Sequence, residues 1–296
     1  MRCSIPGPEY GHERAGVTGF VARASRHVGF QAGAVLLALF VGTALLSIFW
    51  TPHAVDALQM RAKLLPSSAA YPLGTDHLGR DVLSRIMVGA QTSITVGLIA
   101  VTIGLTIGVA LGAWAAARGG WVDEALSRTS DLIFAFPAVL IAILITSVLG
   151  ASAQNAILAI AIFNIPVFAR VTRGAALSMW GRDFVRAATA MGQGPLGITL
   201  RHVLPNIASV LIVQATIQFA VAILAEAGLS YLGLGAQPPV PSWGRMLRDA
   251  QTYIFQAPEL AVWPGLAIAL AVLGLNMLGD GLRDLLDPRL RLLRVG

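Results

Sequence analysis

Six long apolar stretches constrain this chain more than any other feature of its sequence. They lie near residues 30–50, 92–117, 131–149, 153–171, 207–225 and 259–279. About 20 helical residues, each adding about 1.5 Å, cross the hydrocarbon core of a bilayer, which is about 30 Å thick. The sequence therefore predicts an all-α integral membrane protein with six transmembrane helices.

The alternative is a soluble protein whose apolar helices are buried in one core. A soluble domain is about one quarter charged, whereas this chain is 12% charged, 56% hydrophobic and has a mean hydropathy of +0.72. So few charged residues cannot cover a soluble protein of this length. The composition favours the membrane.

The distribution of basic residues predicts the orientation of the spans. Fifteen of the 21 basic residues fall in residues 1–29, 118–130, 170–206 and 280–296, and the other six fall in the remaining connecting segments. Basic residues are enriched on the cytoplasmic side of membrane proteins. Both termini are therefore expected in the cytoplasm, and the basicity indicates topology rather than a surface for nucleic acid.

The spans and this orientation divide the chain into segments. Residues 1–29 are a cytoplasmic tail, 30–50 the first span and 51–91 an external loop that contains an amphipathic helix. Five further spans form a core over 92–279, with a cytoplasmic loop at 172–206 and an external loop at 226–258, before a cytoplasmic tail at 280–296.

The first external loop carries a cluster of charged residues. Asp76 is expected to cap an amphipathic helix on the outer membrane face, with Arg80 and Asp81 on its polar side. Asp76, His77 and Asp81 could instead bind a metal ion, but a helix cap and a solvated face explain them with fewer assumptions.

The second external loop predicts another amphipathic helix. Residues 228–241 are rich in Gly and Pro and cannot form a span. Ser242 then begins a helix with Trp243 on its apolar side and Arg245 on its polar side. Two external amphipathic helices are therefore expected.

Glycines recur along one side of the second span. Gly104, Gly108 and Gly112 are spaced by four residues, and Gly97 lies one heptad earlier. Small residues on one stripe let helix backbones approach closely in a membrane. This span is expected at the centre of the bundle.

Two spans contain proline. Phe136-Pro137 predicts a kink in the third span, and Asn164 with Pro166 predicts one in the fourth, because proline removes a helical hydrogen bond. Irregular backbone inside a membrane persists only where protein or a water-filled cavity satisfies it. Asn164 is therefore a candidate for a translocation pathway.

Polar side chains also occur in the fifth span. Gln214 and Gln218 are four residues apart and share one helix face, which is expected to point into the bundle. Interhelical hydrogen bonding and the lining of a polar pathway remain open for both. Glu226, at the outer end of this span, is open to three interpretations: pathway, latch or simple solvation of a helix end.

The cytoplasmic segment from Phe184 to Pro205 is too polar to enter a bilayer. Its helical spacing predicts one apolar face beside Arg186, formed by Phe184, Val185, Ala188 and Met191. A partner protein could contact that face.

A glycine joint divides this segment. Gly192 is expected to end the first helix, and Pro195 can begin a second one, which is expected to end before Leu204-Pro205. Such a pair of helices suits a mechanical contact.

Catalytic and energy-coupling motifs are absent. Lys63 is the only lysine and no GxxxxGK[ST] run occurs, so the chain cannot supply a phosphate-binding loop of that kind. Cys3 is the only cysteine, and the five histidines are scattered. The chain is not expected to be an enzyme or to bind a cofactor, and if it is a transporter, the energy for transport must come from elsewhere.

Four separated motifs resemble one family, the inner-membrane permease subunits of bacterial ABC importers for dipeptides, oligopeptides and nickel. They are Gly74 to Asp81 (GTDHLGRD), Ala135 to Pro137 (AFP), Leu229 to Gly244 (LSYLGLGAQPPVPSWG) and Leu278 to Arg289 (LGDGLRDLLDPR). The resemblance covers about residues 70–290 and implies the type I importer permease fold. Asp76, Arg80, Asp81, Trp243 and Arg245 are then possible contacts for a binding protein or a gate.

The segment from Phe184 to Pro205 resembles the EAA loop of these permeases, which contacts the ATPase. Ala187, Ala188, Gly192, Leu204 and Pro205 match its pattern. Arg186 stands where the pattern has an acid and His202 where it has an apolar residue, so no acidic contact is expected at position 186.

The resemblance also implies partners and an activity. They are a second, homologous permease subunit, two cytoplasmic ATPase domains that use ATP and Mg, an external substrate-binding protein and membrane lipid. The expected function is the import of short peptides, with nickel or another small solute as the alternative substrate. A secondary carrier working alone is the other class, but such carriers usually carry ionisable residues near mid-membrane.

Overall fold

The structure, a computed structural model, describes residues 24–25 and 27–286. Most of the predicted N-terminal tail and residues 287–296 lie outside the described residues. The helices are α1 (Val28–Phe49), α2 (Val82–Arg118), α3 (Gly120–Phe134), α4 (Ala138–Leu149), α5 (Ala153–Trp180), α6 (Asp183–Ala190), α7 (Pro195–Ile198), α8 (Leu204–Tyr231), α9 (Trp243–Gln251) and α10 (Glu259–Leu286). A 3₁₀ turn covers Met60–Ala62, and a π-helical turn, Thr199–Val203, joins α7 to α8.

The described helices confirm the all-α membrane architecture. Five of them are long and apolar enough to cross a bilayer: α1, α2, α5, the run Pro195–Tyr231 and α10. The pair α3 and α4 passes the same test only as one broken span, bent by 83°. The described residues thus contain five long spans, and the number reaches the predicted six if α3 and α4 together form one broken span.

The first predicted external helix does not exist as a separate element. Val82 to Arg118 form one helix of 37 residues, so the outer amphipathic segment and the second span are continuous. Asp81, not Asp76, is its N-cap, and the Asp81 carboxylate accepts a hydrogen bond from the amide of Ser84. No proline interrupts this run, which explains why the helix does not break at the membrane surface.

The second predicted amphipathic helix is confirmed as α9, and its external location stays a prediction. Ser242 caps it, since the Ser242 hydroxyl accepts a hydrogen bond from the amide of Arg245 at 3.2 Å. We call the end of the bundle that carries residues 50–81 and 232–258 the outer end, and the end that carries residues 181–203 the inner end. These names follow the orientation that the basic residues predict.

The predicted kink at Phe136-Pro137 is a full break. α3 ends at Phe134 and α4 begins at Ala138, after Pro137 with a non-helical ψ of 130°. α4 has 12 residues and is about 18 Å long, which is too short to cross a bilayer by itself.

The glycine stripe of α2 packs against α5, as its spacing predicts. A Cβ atom on Gly104 would lie 2.4 Å from the Cβ of Asn164, and one on Gly112 would lie 2.3 Å from the carbonyl oxygen of Ala169. These distances leave no room for a side chain. The stripe fixes α2 at the centre of the bundle.

Replacing Gly108 with alanine should therefore destabilise the protein. Its Cβ would lie 2.6 Å from both the Ile165 carbonyl oxygen and the Phe168 Cβ, and forced overpacking costs about 1–3 kcal/mol. Gly42→Ala is the matched control, because no atom lies within 4 Å of a Cβ there and alanine favours a helix. Thermal unfolding in detergent measures both; a Gly108→Ala protein as stable as the control would contradict the packing.

Candidate functional site

The inner loop, which we define as residues 182–205, is fixed to the bundle by a small apolar cluster. Val185 and Ala188 of α6 are each 1% exposed. They belong to a cluster with Ala116, Ala176, Ile198, Val203 and Ile207. Because residues three apart lie on the same side of a helix, α6 rests on the bundle through this pair.

The opposite side of the inner loop is exposed. Phe184 is 43% exposed, Met191 73% and Leu196 72%, and Arg186 and Ala187 are exposed as well. The prediction that Phe184, Val185, Ala188 and Met191 share one partner-binding face is therefore wrong. The short helix uses Val185 and Ala188 to attach to its own chain, and leaves the larger apolar side chains free.

Gly192 forms the predicted joint. Its φ of +81° lies in the left-handed region that favours glycine. The amide of Gln193 donates a hydrogen bond to the carbonyl of Ala188 at 3.1 Å, which closes the end of α6. The joint thus has one defined geometry.

His202 connects the two halves of the inner loop. Its Nε2 lies 3.2 Å from the Oε1 of Gln193, and its ring centroid is 6.3 Å from that of Phe184. This histidine therefore has partners within its own loop. Arg186 lies 3.8 Å from Asp183 in an exposed ion pair, and such pairs contribute little stability.

The prediction that the second helix of the loop ends before Leu204-Pro205 is wrong. A π-helical turn at Thr199–Val203 continues directly into α8, and the amide of Leu204 donates to the carbonyl of Thr199. Pro205 lies at the start of α8 directly after the π-helical turn, and its missing N–H removes one backbone hydrogen bond from the run. Residues 195–231 are one continuous helical run.

The polar residues predicted inside the bundle occupy different environments. Asn164 is 2% exposed and lies against Gly104 in the contact between α2 and α5, a position that favours helix packing over pathway lining. Gln218 is 5% exposed. Gln214 is half-buried and lines a cavity of about 400 Å³ with Ser209 and Arg283, among others.

Glu226 is buried at the outer end of α8. Glu226 is 1% exposed, which excludes the interpretation that it simply solvates a helix end. Its Oε1 accepts a hydrogen bond from Ser230 at 2.7 Å, and Ser93 of α2 lies 3.4 Å from its Oε2. The carboxyl group therefore links two helices.

The charged residues of the first external loop form a buried ionic cluster. Asp76 accepts hydrogen bonds from the amides of Leu78 and Arg80, and from the Arg80 Nε at 2.6 Å. Arg85 of α2 lies 3.7 Å from the same carboxylate, and Arg80 lies 3.9 Å from Asp249 of α9. The cluster connects the loop, α2 and α9.

Gly79 allows this loop to close. Its φ is +75°, and a Cβ there would lie 1.9 Å from the carbonyl oxygen of Gln59. The loop chain thus passes directly over the glycine. The expectation of a solvated face is wrong here, since Asp76 and Asp81 are 8% and 2% exposed.

Asp81 holds the start of α2. Besides capping the helix, it accepts a hydrogen bond from the Ser84 hydroxyl at 2.5 Å, and the Nδ1 of His53 lies 3.4 Å from it. The part of the chain that the structure describes contains no group of three metal-ligating side chains.

Trp243 is a packing residue. It is 2% exposed, its Nε1 donates to the Ile86 carbonyl at 3.0 Å, and its ring lies 5.4 Å from that of Phe40. At 2% exposure, Trp243 and Asp81 do not present a surface for a binding protein, and a role for either in a gate stays a prediction. Arg245 is only partly buried and stays a candidate contact.

Sequence patterns missed several of these partners. Arg85 is 2% exposed, although its helical spacing beside Arg80 and Asp81 predicts a solvated face, and no pattern indicates a role for Asp249, Ser93 or Ser230. The opposite charges of Arg85 and Asp249, which lie on the two external segments, were the available signal for these two residues. Serines in apolar surroundings give no comparable signal.

His77 makes the outer end sensitive to acid. Burial lowers the pKa of His77 below its ordinary value of about 6.5, against the opposing fields of Asp76 and Asp249. The unfolded chain then binds the proton first as the pH falls. The stability that depends on neutral His77 is therefore expected to be complete above about pH 6.5 and to decrease as the pH falls below it. His77→Gln should reduce the loss of thermal stability between about pH 7.5 and about pH 5.5; an unchanged loss would contradict this.

The fold and these sites can be compared with known proteins. The model of the family "binding-protein-dependent transport system inner membrane component" matches residues 108–292. The structure is similar to a chain of the inward-facing MetNI methionine ABC transporter, with a TM-score of 0.54 and 19% identity over 67% of this chain and 95% of that one. At that identity the likeness shows the fold alone.

Sequence relatives agree with the family model. The chain is 43% identical over 259 residues to the dipeptide transport system permease protein DppC of Alkalihalophilus pseudofirmus, covering 88% of this chain and 85% of that one. It is 42% identical over 272 residues to the glutathione transport system permease protein GsiD of Pectobacterium atrosepticum, covering 90% and 88%. The GsiD protein of Escherichia coli O157:H7 is 48% identical over 218 residues, covering 74% and 72%. The chain belongs to the family of inner-membrane permease components of binding-protein-dependent ABC transport systems.

Proposed function

We propose that this chain is one of two permease subunits of an ATP-driven importer of short peptides. Its relatives are named for dipeptide and glutathione transport, and glutathione is itself a short peptide. The proposed substrates are therefore dipeptides and comparably short peptides. The chain sits in the bacterial cytoplasmic membrane with both termini inside.

The observation that carries this proposal is the inner loop. Its attachment through Val185 and Ala188 leaves Phe184, Met191 and Leu196 exposed at the end of the bundle. Apolar side chains at such exposure favour a protein contact. The proposed partner is a cytoplasmic ATPase domain, which binds ATP and Mg, since this chain has no phosphate-binding loop of its own.

The loop is also suited to transmit force. Its first half rests on the bundle, and its second half continues without a break into α8. ATP-driven closure of two ATPase domains would displace the loops as rigid bodies, which is one established form of conformational switching. The two permease subunits then alternate between outward and inward access.

The remaining partners follow from the architecture. Long aliphatic side chains of the spans are exposed, such as Leu39, Leu98, Leu144 and Val148. Lipid and a second, homologous permease subunit are proposed to cover them. An external binding protein is proposed to deliver the substrate at the outer end, with Arg245 as a candidate contact.

Purification of the tagged chain from its native membrane tests the proposal. Two ATPase domains, a second permease and a binding protein should co-purify. ATP hydrolysis by this complex should rise when the binding protein is loaded with a dipeptide or a tripeptide. Stimulation by nickel alone would replace the peptide assignment, and a chain that purifies without an ATPase would contradict the proposal.

A further inference from the structure

The inner loop and the outer end are connected by one helical rod. α7, the π-helical turn and α8 follow each other without interruption over the 37 residues from Pro195 to Tyr231. At about 1.5 Å per residue, the rod is about 55 Å long. The π-helical turn and Pro205 lie near the inner end of this rod, and beyond them α8 extends without a break to Tyr231. A displacement of the loop along the rod is therefore expected to reach the outer end.

A carboxyl group lies at the outer end of the rod. Glu226 accepts a hydrogen bond from Ser230 of the same helix at 2.7 Å and lies 3.4 Å from the hydroxyl of Ser93, on α2. Ser242, the N-cap of α9, also lies beside this carboxyl group. One side chain thus contacts three helices.

These contacts are shielded from solvent. Ser93, Ser230 and Ser242 are each 0% exposed, and Glu226 is 1% exposed. Buried polar groups that lose their partners are costly, because no water replaces the lost hydrogen bond. The arrangement therefore resists any separation of α2, α8 and α9 at this point.

α9 is held tightly beside the carboxyl group. A Cβ on Gly244 would lie 2.0 Å from the carbonyl oxygen of Ala227, so α9 touches the backbone of α8. The Thr92 hydroxyl of α2 donates to the carbonyl of Pro241 at 2.8 Å, just before α9 begins. Because of these close contacts, α8 is expected to carry α9 with it when it moves.

We propose that Glu226 is a positioning residue that fastens α9 and the outer end of α2 to the rod. Displacement of the inner loop then moves α9. In the opposite direction, a binding protein that displaces α9 also displaces the inner loop. This deepens the proposed function and rests on it. It assigns Glu226 to a latch and not to the substrate pathway.

Hydrogen bonding is the property that the latch requires, and this can be tested by substitution in the assembled transporter. Glu226→Gln keeps an acceptor and a donor of the same shape, whereas Glu226→Leu fills the space without either. We expect Glu226→Leu to lower the stimulation of ATP hydrolysis by loaded binding protein about fivefold or more, on the scale of lost buried hydrogen bonds. Glu226→Gln should stay within about twofold of the unmodified protein.

Two outcomes would overturn the latch. One is unmodified stimulation and uptake with Glu226→Leu. The other is a Glu226→Gln protein that is as impaired as the Glu226→Leu protein. The carboxylate itself, and not its hydrogen bonding, would then be required, as for an acid in the substrate pathway. If Glu226→Leu does not assemble, Ser93→Ala is measured instead, and unmodified stimulation there also overturns the proposal.

A distance measurement separates the latch from the proposed function. Spin labels at Leu200 and Phe255, which are 56% and 99% exposed, report the inner end of the rod and the segment after α9, in a Cys3→Ser background. The distance distribution should stay narrow and constant with and without nucleotide, and broaden with Glu226→Leu. A narrow distribution in that variant overturns the latch whether or not the complex imports peptides, whereas a complex without ATP-driven uptake overturns the proposed function alone.

Discussion

Replacing Ala188 with glutamate is expected to abolish uptake by the assembled transporter, lowering its rate by about 100-fold or more, equivalent to about 2.7 kcal/mol. Ala188 is 1% exposed and packs in the cluster that holds α6 on the bundle. A carboxylate cannot be buried there without a partner, because desolvation costs several kcal/mol. We expect α6 to detach from the apolar cluster. The inner loop then loses the geometry that a partner recognises.

Uptake into proteoliposomes and ATP hydrolysis measure this effect together. Ala188→Ser is the matched control, since a small hydroxyl can bond to a helix carbonyl, and it should retain uptake within about threefold, or about 0.7 kcal/mol. If the transporter with Ala188→Glu imports peptide at more than one tenth of the unmodified rate, the packing of α6 in the apolar cluster is not required for coupling.

Replacing Asp76 with alanine is expected to cost the most stability. Its carboxylate satisfies two amides and Arg80 and lies beside Arg85. Removing one member of a buried ion pair costs about 3–5 kcal/mol, because the remaining charge is left without its partner. The outer loop should detach from α2 and α9.

Chemical or thermal unfolding in detergent, with hydrogen exchange over residues 51–81, measures this change. Glu124→Gln is the control, because Glu124 forms an exposed ion pair with Arg128 at 2.7 Å, and such pairs contribute about 0–1 kcal/mol. An Asp76→Ala protein as stable as this control would show that the ionic cluster does not hold the outer end together.

The sequence predicts the membrane fold well because its signals are strong. Long apolar runs have few physical alternatives, and the glycine stripe at 104, 108 and 112 predicted a close helix contact, whose partner the structure shows to be α5. Ser242 predicted the start of α9 because capping is a local interaction. Local and compositional signals are enough at these positions.

Continuity of helices was harder to predict. Asp76 and Asp81 both suit a helix cap, and only the turn around Gly79 decides that Asp81 is used. Leu204-Pro205 reads as a helix end, yet the preceding π-helical turn carries the helix through. Both outcomes depend on packing with distant segments.

The polar contacts of the site were beyond the sequence for the same reason. Arg85 and Asp249 are far apart in the chain and are brought together by Asp76 and Arg80. The sequence left three roles open for Glu226; burial excludes simple solvation, and only the fold places Ser93 of another helix beside it. Periodicity gives the face of a residue but not its partner.

Peptide uptake by proteoliposomes tests the central claim most directly. Liposomes containing this chain, its second permease and the ATPase domains, supplied with peptide-loaded binding protein, should accumulate labelled peptide only when ATP is present. Liposomes containing this chain alone should accumulate none. Uptake by this chain alone without ATP would contradict the account and establish a carrier that works by itself.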